Sequence, residues 1–580
     1  MFLTSRFFTV LLVLHVLCYA LALPLVGWKW LIFPALAAVA LPVLPRRLPG
    51  KHPYRKLWFA GFCFWFYVTH FVRFPHWINY GLWVALGAYL GVYLPLFTAC
   101  ARRLYHWRLP RLFYPVLGRR VFSPVFRTLA FLFSVTISWA ACDVLRGWVL
   151  SGFMMGSAAD VFWRDPIWLQ TADLFGQWGV SSFLAFLSAC MVLIVSGLAW
   201  KFNHKMSVDL VKTPLVCLIF GLIFLLGYGD WRLHQPNPND PCGTIALLQG
   251  DVPAALKITP ELIEKTDTTY SKLVQKVRMR GNVDLVVYPE FIYRDPVVFA
   301  EPNAYQPPEI LDEAGNPVDP AVYQSWLEEA SRQSQQDLLN FAHYGIGTQF
   351  LAGCTTFYFG KDRQEIYNSA ILVGPQTEKL NLSSEYHKMI LVPFGEYVPL
   401  VPTLRKWFPK IEEFLPIASQ DAGNKPVCVT FQTKEGCEMR ASLNICYESA
   451  LSRLTRRQIA GLRKEGMEPD CIINLTNNGW FGYSHETRMH EACGVLRAIE
   501  NRKPFLTAAN WGITASINSN GRILDEVPAG KSQVLYTSVQ PDPRRTVFTA
   551  WGGVLLWIPL AVMAFAFSPS VSFRSFRAKS

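Results

Sequence analysis

The chain has 580 residues, 51% of them hydrophobic and 20 of them Trp, with a mean hydropathy of +0.21. That is too long for one ordinary compact domain and too apolar for a purely cytosolic enzyme. The formal charge of +13 is held unevenly: residues 1–231 carry 20 Lys and Arg against six Asp and no Glu, whereas 232–580 carry 35 basic against 36 acidic residues. The positive charge sits in short clusters between apolar runs rather than on one folded face, which argues for membrane topology and against a nucleic-acid partner.

A bilayer crossing needs about 20 mostly apolar residues. Candidate spans fall at 7–24, 27–44, 57–74, 80–100, 127–146, 181–200, 213–230 and 547–567. Residues 1–231 thus read as a transmembrane domain of about seven helices, 232–546 as an extramembrane domain, 547–567 as a final span and 568–580 as a basic cytoplasmic tail. Arg6, the Arg46–Lys56 cluster, the Arg102–Arg127 cluster, Lys201, Lys205, Lys212 and the tail fall on one side. The positive-inside rule makes that side cytoplasmic and puts 232–546 outside. The first span also fits a cleaved leader, with Arg6 ahead of an apolar stretch and Ala20-Leu21-Ala22 at its end. Either reading leaves the long segment on the same side. The aromatic loop at 147–180 fits an interfacial connector or a substrate-lining segment equally well.

The extramembrane domain alternates strands and helices. Strands are expected at 243–250, 283–289, 350–358, 368–373, 427–432, 439–445, 471–475, 505–509 and 513–518, and helices at 260–280, 321–342, 449–465 and 486–502. The pattern is that of one α/β domain with a layered sheet. The Pro-rich, acidic stretch 301–320 reads as a surface loop.

Three chemistry-bearing residues stand at strand ends: Glu290 closes VDLVVYPE, Lys388 lies in EYHKMILVPFGEYVPL, and Cys446 closes MRASLNICYE. The carboxyl ends of strands are where α/β sheets place ligands. With NLTNNGWFG at 474–482, these strings resemble the nitrilase superfamily and, on a polytopic membrane frame, its apolipoprotein N-acyltransferase family. PFGEYVP separates that family from soluble nitrilases. The resemblance implies a multi-pass α-helical membrane domain plus an extramembrane α-β-β-α sandwich. It also implies Glu290 as general base, Lys388 as cationic stabiliser and Cys446 as nucleophile, with Glu396, Tyr447 and Glu448 in support. The implied reaction passes a fatty acyl chain from a phospholipid to the α-amino group of a diacylglyceryl-modified apolipoprotein through a cysteine thioester. It needs no cofactor and no metal, and would place the chain in a bacterial inner membrane with its catalytic domain in the periplasm.

Such a reaction has physical requirements. A free thiol near pKa 8.5 is mostly protonated at neutral pH, so the nucleophile needs a base, and the oxyanion needs positive charge or N–H groups, here Lys388 and a backbone N–H near Tyr447. Both substrates are insoluble, so an apolar lid that restricts water suits a transferase. Trp480 and Phe481 are candidates for that lid, as is the Trp407-Phe408 neighbourhood; each fits core packing equally well. Where the family often has Trp after a Lys beyond the first strand, this chain has Lys257-Ile258. Where it often has NNG near the domain's end, the chain has Asn510-Trp511-Gly512.

His485 and His490 in HETRMH approach a zinc-protease motif, but a spacing of five puts them about 140° apart on a helix. Seven of the 13 cysteines lie in the outer segment, an odd number, so at least one thiol there is unpaired, and Cys446 is expected to be that thiol. Two rival readings remain: a membrane-tethered amidase or nitrilase, and a catalytically inactive lipid- or lipoprotein-binding scaffold.

Overall fold

The computed structural model describes residues 3–203, 209–255, 258–307, 310, 316, 318–375, 377–380, 384–397 and 420–569. The N-terminal part is helical: α1 (Ser5–Ala22), α2 (Ile32–Ala40), α3 (Pro53–Val68), α4 (Asn79–Leu90), α5 (Tyr93–Arg103), α6 (Leu109–Leu117), α7 (Pro124–Arg146), α8 (Ala172–Asn203) and α9 (Asp209–Leu233). Among the described residues six helical segments are long and apolar enough to cross a membrane: Ser5–Ala22, Asn79–Phe122, Pro124–Arg146, Ala172–Ala199, Asp209–Leu233 and Val547–Phe567. The chain is a multi-pass membrane protein.

The expected spans 27–44 and 57–74 take shorter forms. The first is an apolar helical segment, Lys29–Val43, whose end carries Pro42 in a tighter 3₁₀ turn. The second is α3, which stops at Val68: Thr69 Oγ1 donates to the Trp65 carbonyl at 2.7 Å, and the chain turns through a 3₁₀ segment at His70–Arg73. Much of the segment 147–171 packs inward. Met154 and Phe162 are fully buried, and Phe162 stacks on Trp168 with centroids 4.7 Å apart.

The second part is a two-sheet sandwich. Its elements are β1 (Cys242–Gln249), α10 (Pro260–Arg280), β2 (Leu285–Val287), β3 (Val297–Ala300), α11 (Pro320–Asn340), β4 (Gln349–Phe359), β5 (Gln364–Val373), β6 (Glu385–His387), β7 (Cys428–Gln432), β8 (Glu438–Ile445), α12 (Ser452–Lys464), β9 (Cys471–Thr476), α13 (Glu486–Asn501), β10 (Phe505–Ala509), β11 (Thr514–Ile517), β12 (Ile523–Val527) and β13 (Gln533–Val539). Two more helices, α14 (Val547–Leu555) and α15 (Trp557–Phe567), return to the membrane part. Among the described residues one sheet runs β13-β1-β2-β4-β5-β6, with β3 on the far half of β4, and the other runs β12-β11-β10-β9-β8-β7. The pairs β1–β2, β2–β4, β8–β9 and β9–β10 are parallel.

Strand alternation sorts the layers. On β1, Ile245 and Leu247 face the second sheet, against Phe431, Leu443 and Leu475, while Ala246 and Leu248 pack under α10 with Leu273 and Val277. The second sheet lays Ile472, Phe505 and Ile517 under α12 and α13. The result is an α-β-β-α sandwich whose central strands are buried on both faces, which is why they read as continuous apolar runs. Helix starts follow one grammar. Ser123, Thr259 and Asp319 each accept an N–H of the following turn, and each is followed by a proline whose missing N–H costs nothing there.

Candidate active site

The three strand-end residues converge. Glu290 follows β2, Lys388 directly follows β6, and Cys446 directly follows β8. Lys388 Nζ donates to Glu290 Oε1 at 3.2 Å and to Glu396 Oε1 at 2.6 Å, and both Lys388 and Glu290 are at most 3% exposed. Glu290 Oε1 also accepts from Asn368 Nδ2 at 2.8 Å and Oε2 from the Asn477 N–H at 3.0 Å. Glu396 is steadied by the Val392 N–H on its other oxygen at 2.8 Å.

Backbone strain is concentrated here. Cys446 has φ +53°, Phe291 beside Glu290 has +60°, and Phe394 beside the Glu396 turn has +61°. For non-glycine residues this region costs of order 1 kcal/mol each and persists only where surroundings enforce it. At Glu290 the enforcement includes a close approach: a Cβ on Gly353 of β4 would stand 2.2 Å from the Pro289 carbonyl oxygen. At Cys446 it is a hydrogen-bonded cage. Glu448 Oε2 accepts the Ile445 N–H at 2.8 Å and the Tyr386 hydroxyl at 2.7 Å, while Oε1 accepts the N–H groups of Met389 (2.6 Å) and Ile390 (3.0 Å). One buried carboxylate therefore ties the Cys446 turn to the Lys388 segment. The Cys446 carbonyl accepts from Ser449 Oγ at 3.0 Å and His490 Nε2 at 3.1 Å.

His490 was invisible in the sequence as anything but half of a failed metal motif. Asn478 Nδ2 donates to its Nδ1 at 3.0 Å, which fixes the neutral tautomer with the proton on Nε2. Burial, the largest influence, pushes its pKa down to about 4, consistent with that tautomer. Asn368 was also missed. The signal was present, since a polar Asn-Ser pair interrupts the apolar strand EIYNSAILV where strands rarely place Asn.

The charges are strongly perturbed. Burial pushes the Glu290 carboxyl up; Lys388 pulls it back and Glu396 repels it further upward. Burial works against the Lys388 ammonium, but Glu290 and Glu396 more than offset it, so the lysine is held well above its usual range. Burial likewise pushes the Cys446 thiol up, and Glu290 adds to this against Lys388 and a hydrogen bond with Thr476. The resting site therefore holds a protonated thiol, an ammonium and a carboxylate of raised basicity.

The supporting residues divide. Glu396 holds Lys388. Glu448 is fully buried with both oxygens occupied, so it braces the turn and has no room to receive an incoming ammonium. Tyr447 reaches the other way and donates its hydroxyl to the Gly152 carbonyl in the buried segment 147–171. Phe481 packs edge-on against Phe71 in the turn after α3, with centroids 5.2 Å apart, and Trp480 is half-buried beside it. The lid candidate Trp407-Phe408 and Lys257 lie outside the described residues, whereas Ile258 is exposed. Among the described residues no cluster of three or more His, Cys, Asp or Glu could hold a metal ion.

Residues 244–547, more than half of the chain, match the carbon-nitrogen hydrolase family, and residues 16–191 match the apolipoprotein N-acyltransferase N-terminal domain. The chain belongs to the apolipoprotein N-acyltransferase family of carbon-nitrogen hydrolases. Its relatives include an apolipoprotein N-acyltransferase of Geobacter metallireducens, 27% identical over 87% of this chain and 83% of that one. Those of Rhodopirellula baltica (26% identical, 92% of each chain) and Vibrio parahaemolyticus (27%, 91% of this chain and 92% of that one) are similar over comparable lengths. A solved amidase of the nitrilase superfamily from Nesterenkonia AN1 aligns over 53% of this chain and 94% of its own at 16% identity, with a TM-score of 0.32. The α-β-β-α sandwich expected from the sequence is formed by the two stacked sheets and their covering helices, over the residues that match the carbon-nitrogen hydrolase family.

Proposed function

We propose that the protein is an apolipoprotein N-acyltransferase of the bacterial inner membrane, with its sandwich in the periplasm. It moves a fatty acyl chain from a phospholipid to the α-amino group of an S-diacylglyceryl cysteine at the N-terminus of an apolipoprotein. The observation that carries this reading is the Glu290–Lys388–Cys446 convergence on a turn fastened to the membrane part through Tyr447 and Gly152.

In the first half-reaction Glu290 takes the Cys446 proton as sulfur attacks the ester carbonyl. Two of the three Lys388 N–H groups are taken by Glu290 and Glu396, leaving one to hold the oxyanion as it forms. Collapse breaks the ester C–O bond, and Glu290 returns the proton to the departing glycerol oxygen, giving a thioester and a lysophospholipid. In the second half the neutral amine attacks the thioester carbonyl. Glu290 takes the amine's proton and passes it to the departing sulfur, restoring the thiol beside the new amide.

Glu396 keeps Lys388 charged and oriented and is a positioning residue. Phe481 and Trp480, seated against the turn after α3, restrict water at the side where lipids arrive. Mass spectrometry of the purified enzyme incubated with phospholipid alone tests the reading. Cys446 gains one acyl group in the wild type and in Cys428→Ala, and none in Cys446→Ala. Acylation that persists in Cys446→Ala would sink the assignment.

A further inference from the structure

The hairpin between β7 and β8 ends in a tight turn closed by the Thr433 N–H to the Cys437 carbonyl and the Gly436 N–H to the Thr433 carbonyl, each at 2.9 Å. The turn belongs to the second sheet, yet its tip is docked on the first. The Asp284 carboxylate, just ahead of β2, accepts the N–H of Thr244 on β1 at 2.6 Å and that of Lys434 in the turn at 2.7 Å. Gly243 lets the tip approach, since a Cβ there would stand 2.9 Å from Thr433 Cγ2.

This docking brings two cysteines together. Cys242 opens β1 with its sulfur 3.8 Å from Thr433 Oγ1, and the Cys437 N–H donates to the same hydroxyl at 3.0 Å. Burial raises the Cys242 pKa, and the neighbouring Cys437 side chain adds to the rise. Cys242 is buried and Cys437 exposed. Both stand at the amino ends of their strand regions, β1 and β8, whereas Cys446 follows the carboxyl end of β8. Cys428 and Cys471 offer a contrast: they lie on β7 and β9 with β8 between them, about 9.6 Å apart by strand spacing and beyond the reach of a disulfide.

We propose that Cys242 and Cys437 form a disulfide that staples the two sheets together at the end of the sandwich opposite the active site. The proposal rests on the reading that the sandwich faces an oxidising compartment, where such bonds persist. The exposed Cys437 thiolate attacks the disulfide of a dithiol oxidase or of oxidised glutathione, giving a mixed disulfide and releasing one thiol. The Cys242 thiolate then attacks the Cys437 sulfur and releases the second thiol. Two protons and two electrons leave the pair, and the oxidant's disulfide is reduced by the same two electrons. The bond closes a loop of about 195 residues, the regime in which restricting the unfolded chain has its greatest effect. It also anchors the start of the strand that carries the nucleophile to the strand beside β2, which leads to Glu290.

The test uses the full chain in its own membrane. Cells are quenched, free thiols are blocked with N-ethylmaleimide, and the protein is digested without reductant. A linked peptide pair containing Cys242 and Cys437 is expected, lost on reduction and absent from Cys437→Ser. Reductant should lower the thermal midpoint of the wild type by roughly 5 °C and leave that of Cys437→Ser unmoved. Alkylation of both thiols in the quenched cells overturns the staple. A membrane-impermeant maleimide on spheroplasts then separates the two ways of failing. Labelling of Cys437 from outside refutes the pairing alone, and labelling only after lysis refutes both the pairing and the periplasmic placement.

Discussion

The molecule buries charge in two places and manages it differently. At the junction of the membrane part and the sandwich, Asp173 accepts from the Tyr228 hydroxyl (2.7 Å), Arg232 Nε (2.6 Å) and Arg502 Nη2 (2.7 Å). Arg502 spends another arm on Asn520 Oδ1 at 2.9 Å. Nearby, Glu500 accepts the Gln177 N–H at 2.7 Å, Ser452 Oγ at 2.8 Å and Arg497 Nη2 at 3.0 Å. In the active site one ammonium faces two carboxyl groups, and among the described residues one Lys388 N–H stays uncommitted. A buried network with most of its polar arms occupied fixes two parts of a chain in register, since removing one member strands the others without water. A network with capacity left over raises the proton affinity of its neighbours and can meet charge that appears only during a reaction.

Breaking the first network should therefore cost stability, and breaking the second should cost rate. Asp173→Ala strands Arg502 and Arg232, and a loss of about 3–5 kcal/mol is expected, read as a fall in the thermal midpoint of the detergent-solubilised protein. An unchanged midpoint would mean that the junction does not depend on this node. On the proposed mechanism Lys388→Met removes the cation that holds the oxyanion, and a loss of roughly 10²–10³-fold in Cys446 acylation rate is expected. Acylation at the wild-type rate in that variant would assign Lys388 to structure alone.

A third prediction concerns Glu486, a buried acid that shares Asn478 with His490. Burial, only partly offset by the Asn478 amide at 2.6 Å, pushes Glu486 up to about 8 from its ordinary 4.5. The folded state then holds a proton that the unfolded chain releases. Its contribution to stability is full below about pH 4.5 and is lost as pH rises through about 8. The thermal midpoint should fall between pH 5 and 9, and Glu486→Gln, which keeps the neutral form's hydrogen bond, should flatten that fall. A profile as steep in the variant as in the wild type would remove Glu486 as its source.

The same division governs what could be read from the sequence. Glu290, Lys388 and Cys446 were legible: Glu290 and Cys446 follow apolar strands, and with Lys388 they lie in short strings, VDLVVYPE, EYHKMILVPFGEYVPL and MRASLNICYE, that resemble one family's motifs; such strings are local features. The junction was not, because Asp173 meets Arg502, and Gln177 meets Arg497, across more than 300 residues of chain and nothing local marks them as partners. His490 escaped for the same reason. The strands β12 and β13 were missed because their residues are partly exposed and polar, and β3 and β6 because four and three residues carry too little pattern. The helix expected at 57–74 ends earlier, at Val68, where the Thr69 hydroxyl bonds back to the Trp65 carbonyl, a local contact that an apolar count does not register.

The central claim is that this site keeps its thioester for an amine rather than for water, and the lifetime of the acyl-enzyme tests it most directly. With phospholipid removed, the Cys446 thioester should survive for minutes, then vanish within seconds when a diacylglyceryl-cysteine peptide with a free α-amine is added, with the acyl chain recovered on that amine. The N-acetylated peptide should leave the thioester intact. Release of free fatty acid at one rate, whether or not the peptide is present, would contradict the account and make the protein a hydrolase.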